Sequence, residues 1–375
     1  MHEHLYELDP AQVRINQPLQ WDVFSAQGKL LLHKGSVIHS ELQRDRLLEL
    51  GVCVSRADMP KQKFEAPARV YDPFYEWQDL CGRLMRMNLG FMQAARAPAP
   101  APQLLAGLDR IADRVIALVA RVPDIAIFEI MQMNTANYAV AHHLQAAALS
   151  ALIAHKLAWS ADAVRNACRA ALTMNVAMLD LQTALSGQQQ PLTKAQQEAI
   201  RDHGFHGRRL LEALGVGDLA WLQAIEQHHP ERLPPDTQVS SLAKLVHHVD
   251  IYLAKISPRA YRGAKTPQSA ARELLQDTRA DKDLVSMLIK IVGIYPPGTY
   301  VRLACGEIAV VVRRGANAHT PRVCSLTSAV GMPLGEPVAR DTTLSKFAID
   351  SIVSKAKVMV LVDPSRLFGM SSAMG

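Results

Sequence analysis

The sequence predicts a mainly α protein: a helical bundle with a small α/β unit ahead of it and a small β-rich domain behind it. Three observations carry this reading. Apolar residues recur at helical spacing from residue 103 to Gly293. Alternating patterns are confined to residues 13–55 and to the chain beyond Tyr295. Aromatic residues make up only 5% of the chain while Ala, Leu, Met and Gln are common, a composition that favours helix. With 375 residues and 49% hydrophobic content the chain is long enough for two or three domains and their cores.

The elements follow in order. Residues 21–24 and 29–33 read as short strands around the turn at Gln27-Gly28. Ser40 caps a helix that carries Leu42, Leu47 and Leu48 and closes at Gly51, and residues 52–54 form a further strand. Prolines and charges over 56–73 mark a connector, and residues 74–92 form a Met- and Leu-rich helix. The tract Ala97-Pro98-Ala99-Pro100-Ala101-Pro102 is extended and semi-rigid. Leu104, Leu108, Ile111, Val115, Leu118 and Val122 then repeat at helical spacing, and a second helix covers 136–157. Ser160, Asp218 and Asp281 cap later helices, Thr193 and Gln196 form a capping box, and Thr266-Pro267 opens another. A further helix runs over 239–256 and Gly293 ends the last one. Beyond Pro296-Pro297-Gly298, residues 300–303 and 308–313 form a β-hairpin around Cys305-Gly306. Residues 322–327 give another strand, and a helix over 345–356 with a strand over 357–362 completes the domain. The expected organisation is 1–58 as the α/β unit, 59–102 as linker and helix, 103–295 as the helical domain and 296–375 as the β-rich extension.

Composition narrows the function. The net charge of +6 is spread along the chain and no nucleic-acid-binding motif is present, so no nucleic-acid partner is expected. Five widely spaced cysteines without a C-x-x-C pattern fit free thiols in a reducing compartment. No run of eighteen apolar residues and no signal peptide is visible, so a cytoplasmic protein with no membrane span is expected.

The informative feature is histidine. Nine of the fourteen fall between His142 and His248, and His228-His229 are adjacent. Imidazole is the commonest metal ligand, and a bundle assembles such ligands one or two per facing helix. His142, His203, the His228-His229 pair and Asp250 each lie on a different expected helix. Where another ligand group would be useful the chain reads Met174-Asn175-Val176-Ala177-Met178.

This order resembles the HD-GYP family, the branch of HD phosphohydrolases that cleaves cyclic di-GMP. The resemblance covers residues 134 to about 312 and implies an HD-type helical bundle. Family members carry a ligand His, then His-Asp, then a His four residues before a Gly. His-His-Glu follows, and then an Asp ahead of Arg-Pro-Tyr-Arg. His142 matches the first His, His203 with Gly207 the third element, His228-His229 the doublet and Asp250 the last ligand. Arg259-Ala260-Tyr261-Arg262 matches the basic segment with Ala for Pro, so the resemblance implies substrate contacts from Arg259, Tyr261 and Arg262. Residues 294–298, Val301-Arg302-Leu303 and Gly306-Glu307 match the family's C-terminal stretch. The departures are equally specific. The His-Asp falls on Met174-Asn175, the lysine after it on Met178, and the Glu after His-His on Pro230, with Glu231 one place late. No Gly-Tyr-Pro is present; the loop reads Arg232-Leu233-Pro234-Pro235-Asp236.

The family's chemistry implies a metal pair bridged by the Asp of His-Asp. Asn175 is neutral and a poor bridge, and the Met174 thioether suits neither a hard cation nor phosphate. One metal would keep only His142 and Asp250, which are expected instead as a hydrogen-bonded pair. The other would keep His203, His228 and His229, enough for one divalent ion (Fe, Mn, Ni or Zn) with an open position. A second metal is not expected. His143, His206, His247 and His248 are read as helix-surface or lining residues, and Met174 and Met178 as core filling. The leading reading is a degenerate HD-GYP signalling protein that binds cyclic di-GMP or a partner protein with absent or weak hydrolysis, with a homodimer as a further option. The alternative is an active metal-dependent cyclic di-GMP phosphodiesterase yielding pGpG or GMP. A third resembles the HDOD relatives, which are metal-free scaffolds.

Overall fold

A computed structural model describes residues 5–7, 13–25, 28–49, 53–55, 71–132, 137–258, 263–360 and 362–370. The chain divides into two units, Met1–Val70 and Tyr71–Gly375. In the first, β1 (Leu5–Glu7), β2 (Val23–Phe24), β3 (Leu30–Leu32) and β4 (Cys53–Ser55) form a sheet of order β1-β4-β2-β3 with antiparallel pairing. Helix α1 (Glu41–Glu49) follows Ser40, whose hydroxyl accepts from the Gln43 N–H. Val13, Leu19, Val23, Ile38, Leu47 and Val54 are its core.

The second unit opens with a helical hairpin. The Asp72 carboxylate accepts from the N–H groups of Phe74 and Tyr75, and Pro73 occupies the first turn, which starts α2 (Pro73–Arg96). The Pro-Ala tract stops it, and α3 (Pro102–Arg121) returns. Pro123 begins α4 (Pro123–Gln132) directly after the Val122 cap of α3. Helix α5 (Tyr138–Lys156) is buried on almost every face, as an all-round apolar helix must be. It packs on α6 (Ala161–Thr173), and its buried residues include the small Ala146, Ala147 and Ala148. Around it lie α7 (Leu179–Gly187), α8 (Lys194–Ala213), α9 (Leu219–Gln227), α10 (Ser241–Ile256), α11 (Pro267–Gln276) and α12 (Lys282–Val292). The caps sit where the sequence puts them: Ser160, Asp218, Thr266 and Asp281 each accept a backbone N–H, and Thr193 and Gln196 close a full capping box.

After Gly293 the chain becomes a five-stranded antiparallel sheet of order β8-β7-β6-β5-β9. Its strands are β5 (Tyr300–Leu303), β6 (Ile308–Arg313), β7 (Arg322–Thr327), β8 (Pro333–Asp341) and β9 (Ile349–Ile352). One sheet face joins the bundle through Phe74, Phe128, Val310, Val312, Leu326 and Phe368. Glu307 is fixed inside the sheet by two bonds from Arg340 and one from the Ser325 hydroxyl. The expected helix over 345–356 is absent. Short 3₁₀ turns at Ser345–Phe347 and Lys355–Lys357 flank β9 instead, and the strand expected over 357–362 does not form among the described residues. Ser345, Asp350, Ser351 and Ser354 are poor helix formers, and the open edge of β5 supplies ladder partners for Ile349 and Ile352.

The class is mainly α: a helical bundle, with one small sheet earlier in the chain and another later in it. Among the described residues no helix is long and apolar enough to cross a membrane.

Candidate metal centre

Helices α8 and α9 bring the first three histidines together. A Cβ on Gly204 would lie 3.0 Å from the Ile225 carbonyl oxygen and 3.1 Å from that of Glu226. A Cβ on Gly207 would lie 3.0 Å from Ile225 Cγ2. Glycine at both positions lets α8 rest against the C-terminal turn of α9. His203, one residue before Gly204, therefore faces His228, the C-terminal cap of α9. Pro230 cannot continue the helix, so His229 turns back over the same spot through the 3₁₀ turn Pro230–Arg232.

The three rings converge, with centroids 4.9 Å (His203–His228), 5.1 Å (His203–His229) and 4.4 Å (His228–His229) apart. One ligand atom from each lies within 4.8 Å of the others. His203 Nδ1 is 2.6 Å from the Ile200 carbonyl oxygen and His228 Nδ1 is 2.7 Å from that of Ile225. A carbonyl only accepts, so both histidines carry their proton on Nδ1 and present a bare Nε2. These two Nε2 atoms stand 2.9 Å apart. Imidazoles at right angles on one ion, with bonds of about 2.0–2.1 Å, would have nitrogens about 2.8–3.0 Å apart. His229 Nδ1 donates to Glu231 Oε1 at 3.1 Å, the carboxylate–imidazole arrangement that orients metal-bound histidines. Burial and then the nearby His229 hold His203 down at about 4. Burial, followed by His229 and His203, keeps His228 well below its ordinary value. Both are neutral at pH 7, the form a metal requires. The donor set fits one divalent ion.

The remaining elements close the site from the other side. His142 on α5 and Asp250 on α10 form a 2.6 Å bond between Nε2 and Oδ1. Burial alone would raise Asp250, but the bond and charge of His142, with His229 and His228, hold it well below the carboxylate range. Both residues line one cavity of about 160 Å³ with His203, His229, Asn175 and Met178. Asn175 is 4% exposed, while Met174 is buried in the core behind it. Arg232 lines the same cavity and donates to the Ile200 carbonyl. Next to it, a groove of about 370 Å³ shares Leu185 and Ile200 and is edged by Gln188, Gln189 and Gln190.

The other histidines divide. His206 is exposed. His248 is not a surface residue: it is buried, with Nδ1 donating to the Lys244 carbonyl and Nε2 accepting from the Asp281 N–H. His143 is fully buried, and among the described residues neither ring nitrogen has a hydrogen-bond partner. Burial and the charge of His142 hold it at about 3. His247 donates Nδ1 to the His228 carbonyl at 2.8 Å, and it forms a second converging group with His229 and Glu231. Sequence reasoning missed Arg232, and gave neither Glu231 nor His247 a part in the site. The signals were there: Glu231 follows His229 by two residues across a proline, and His247 lies one turn before Asp250 on α10. Arg259, Tyr261 and Arg262 lie outside the described residues.

No family model matches the chain. A cyclic di-GMP phosphodiesterase from Pseudomonas aeruginosa is 28% identical over 225 residues, covering 57% of this chain. The chain spans about half, 54%, of that relative's length. An HDG"Y"P protein from Bdellovibrio bacteriovorus superposes with a TM-score of 0.44 at 14% identity, over 76% of this chain and 99% of that one. In the order of these residues and in its alignment with the Pseudomonas enzyme, this chain is similar to the HD-GYP domain proteins.

Proposed function

We propose that this chain is a degenerate HD-GYP signalling protein. It holds one divalent ion on His203, His228 and His229 and takes up cyclic di-GMP with absent or weak hydrolysis. The observation that carries the reading is the wall of the cavity opposite the histidines. Neutral Asn175 and the Met178 thioether stand where the family resemblance calls for a bridging carboxylate and a lysine. When bound, a divalent ion there would polarise a phosphate oxygen or acidify a water. The chain's own groups would do the rest. Arg232 offers a guanidinium to a phosphate, and Asp250 keeps His142 oriented. The cavity of about 160 Å³ is below the usual range of about 300–1,000 Å³ for a small-molecule site, so it suits one phosphate with its sugar. The glutamine-edged groove beside it offers amides to a guanine edge.

A second reading, slow phosphodiester cleavage, is favoured by the depressed histidines and the ionised Asp250 in the same cavity. Calorimetry with cyclic di-GMP, followed by chromatography of the incubated nucleotide, separates the two. Binding without pGpG or GMP supports the first reading. Rapid conversion, abolished by His228→Ala, establishes the second.

A further inference from the structure

A groove of about 420 Å³ runs between α2 and α3, away from the histidine cluster, with Arg83, Arg86, Arg110 and Arg114 along it and Met87 and Ile111 at its base. Arg83 and Arg86 are one turn apart on α2, and Arg110 and Arg114 are one turn apart on α3. Gly107 keeps the groove open between them: a Cβ there would lie 3.0 Å from Met87 Cε and 3.8 Å from the Arg110 guanidinium.

The charges in this region do not balance. Glu76 takes Arg114, and Asp79 takes Arg83 and Arg114, each at 2.7 Å. The two α3 carboxylates turn to α6 instead, Asp109 to Arg169 and Asp113 to Arg165, also at 2.7 Å. Every carboxylate on α2 and α3 is thus engaged. Arg86 and Arg110 have no hydrogen-bond or ion-pair partner among the described residues. Two unpaired guanidiniums lining one groove with two paired ones leave positive charge there that an anion can neutralise. A guanidinium fork matches phosphate in a bidentate manner, and its flat face stacks on aromatic rings. The groove volume lies within the range of about 300–1,000 Å³ common for small-ligand sites.

We propose that this groove is a second ligand site that binds a phosphorylated molecule of nucleotide size, with Arg86 and Arg110 gripping its phosphates. The site is independent of the metal centre. Calorimetry on the full chain with ATP as probe tests it, in EDTA so that no metal-bound phosphate contributes. One saturable site is expected. R86A/R110A should weaken it at least tenfold, and R86K/R110K should weaken it less. R366A, whose partner Glu336 lies outside the groove, should leave it unchanged. Absence of saturable binding, equal affinity in R86A/R110A, or tighter binding of an octaglutamate peptide than of ATP would overturn the proposal.

Discussion

The Nε2 atoms of His203 and His228 face each other at 2.9 Å, and both protons are already committed to backbone carbonyls on the opposite nitrogens. Two lone pairs at that distance repel unless a cation stands before them. The main chain of α8 and α9 thus fixes the tautomers that the proposed metal site requires.

Acid should weaken the metal-free protein. His203 has a folded value of about 4 and an unfolded value near 6.5, and His228 and His143 shift in the same direction. Between these limits the unfolded chain binds protons that the folded chain does not. Stability is then lost as pH falls, by up to about 1.4 kcal/mol per pH unit for each group. Urea unfolding in EDTA should show midpoints that drop steadily from pH 7 to pH 4. A flat or rising midpoint contradicts the assigned tautomers.

Gly204→Ala should destabilise the fold by about 1–3 kcal/mol, because the new methyl meets the Ile225 and Glu226 carbonyls on a rigid helix end. The same change pushes α8 off α9 and should lower metal retention. Denaturant unfolding and metal analysis on one preparation check both. Wild-type stability would mean that the close approach of the two helices is not needed.

Glu231→Ala removes the carboxylate that accepts from His229 Nδ1 and leaves no acceptor in its place. Loss of such an orienting partner costs about 10–100-fold in metal affinity. Competition with a chromogenic chelator measures it. An unchanged affinity would assign Glu231 to the surface.

Much of this was readable in advance. The caps at Ser160, Thr193, Asp218, Thr266 and Asp281 declared themselves because each is a local side chain–backbone bond. His203, His228, His229, His142 and Asp250 were legible as candidates through their order and their placement on separate helices. The cavity wall was harder. Arg232 and Glu231 reach the site only because Pro230 forces a 3₁₀ turn, and no periodicity marks such a turn. His143 and His248 share α5 and α10 with site residues, and only packing decides that both are buried. The segment 345–356 was misread because its conformation is set by β5, more than forty residues earlier.

Asn175→Asp restores the carboxylate in the wall that faces the histidines. The metal content of that variant should rise from about one toward two ions per chain, since a carboxylate between His142–Asp250 and the three imidazoles can bridge. Elemental analysis of the variant beside the wild type checks this. An unchanged ratio would mean that Asn175 does not occupy the bridging position.

The most direct measurement is metal stoichiometry of the purified full chain together with its His228→Ala variant. The account predicts about one divalent ion per wild-type chain and close to none in the variant. Two ions per wild-type chain, or one ion that survives loss of His228, would contradict it.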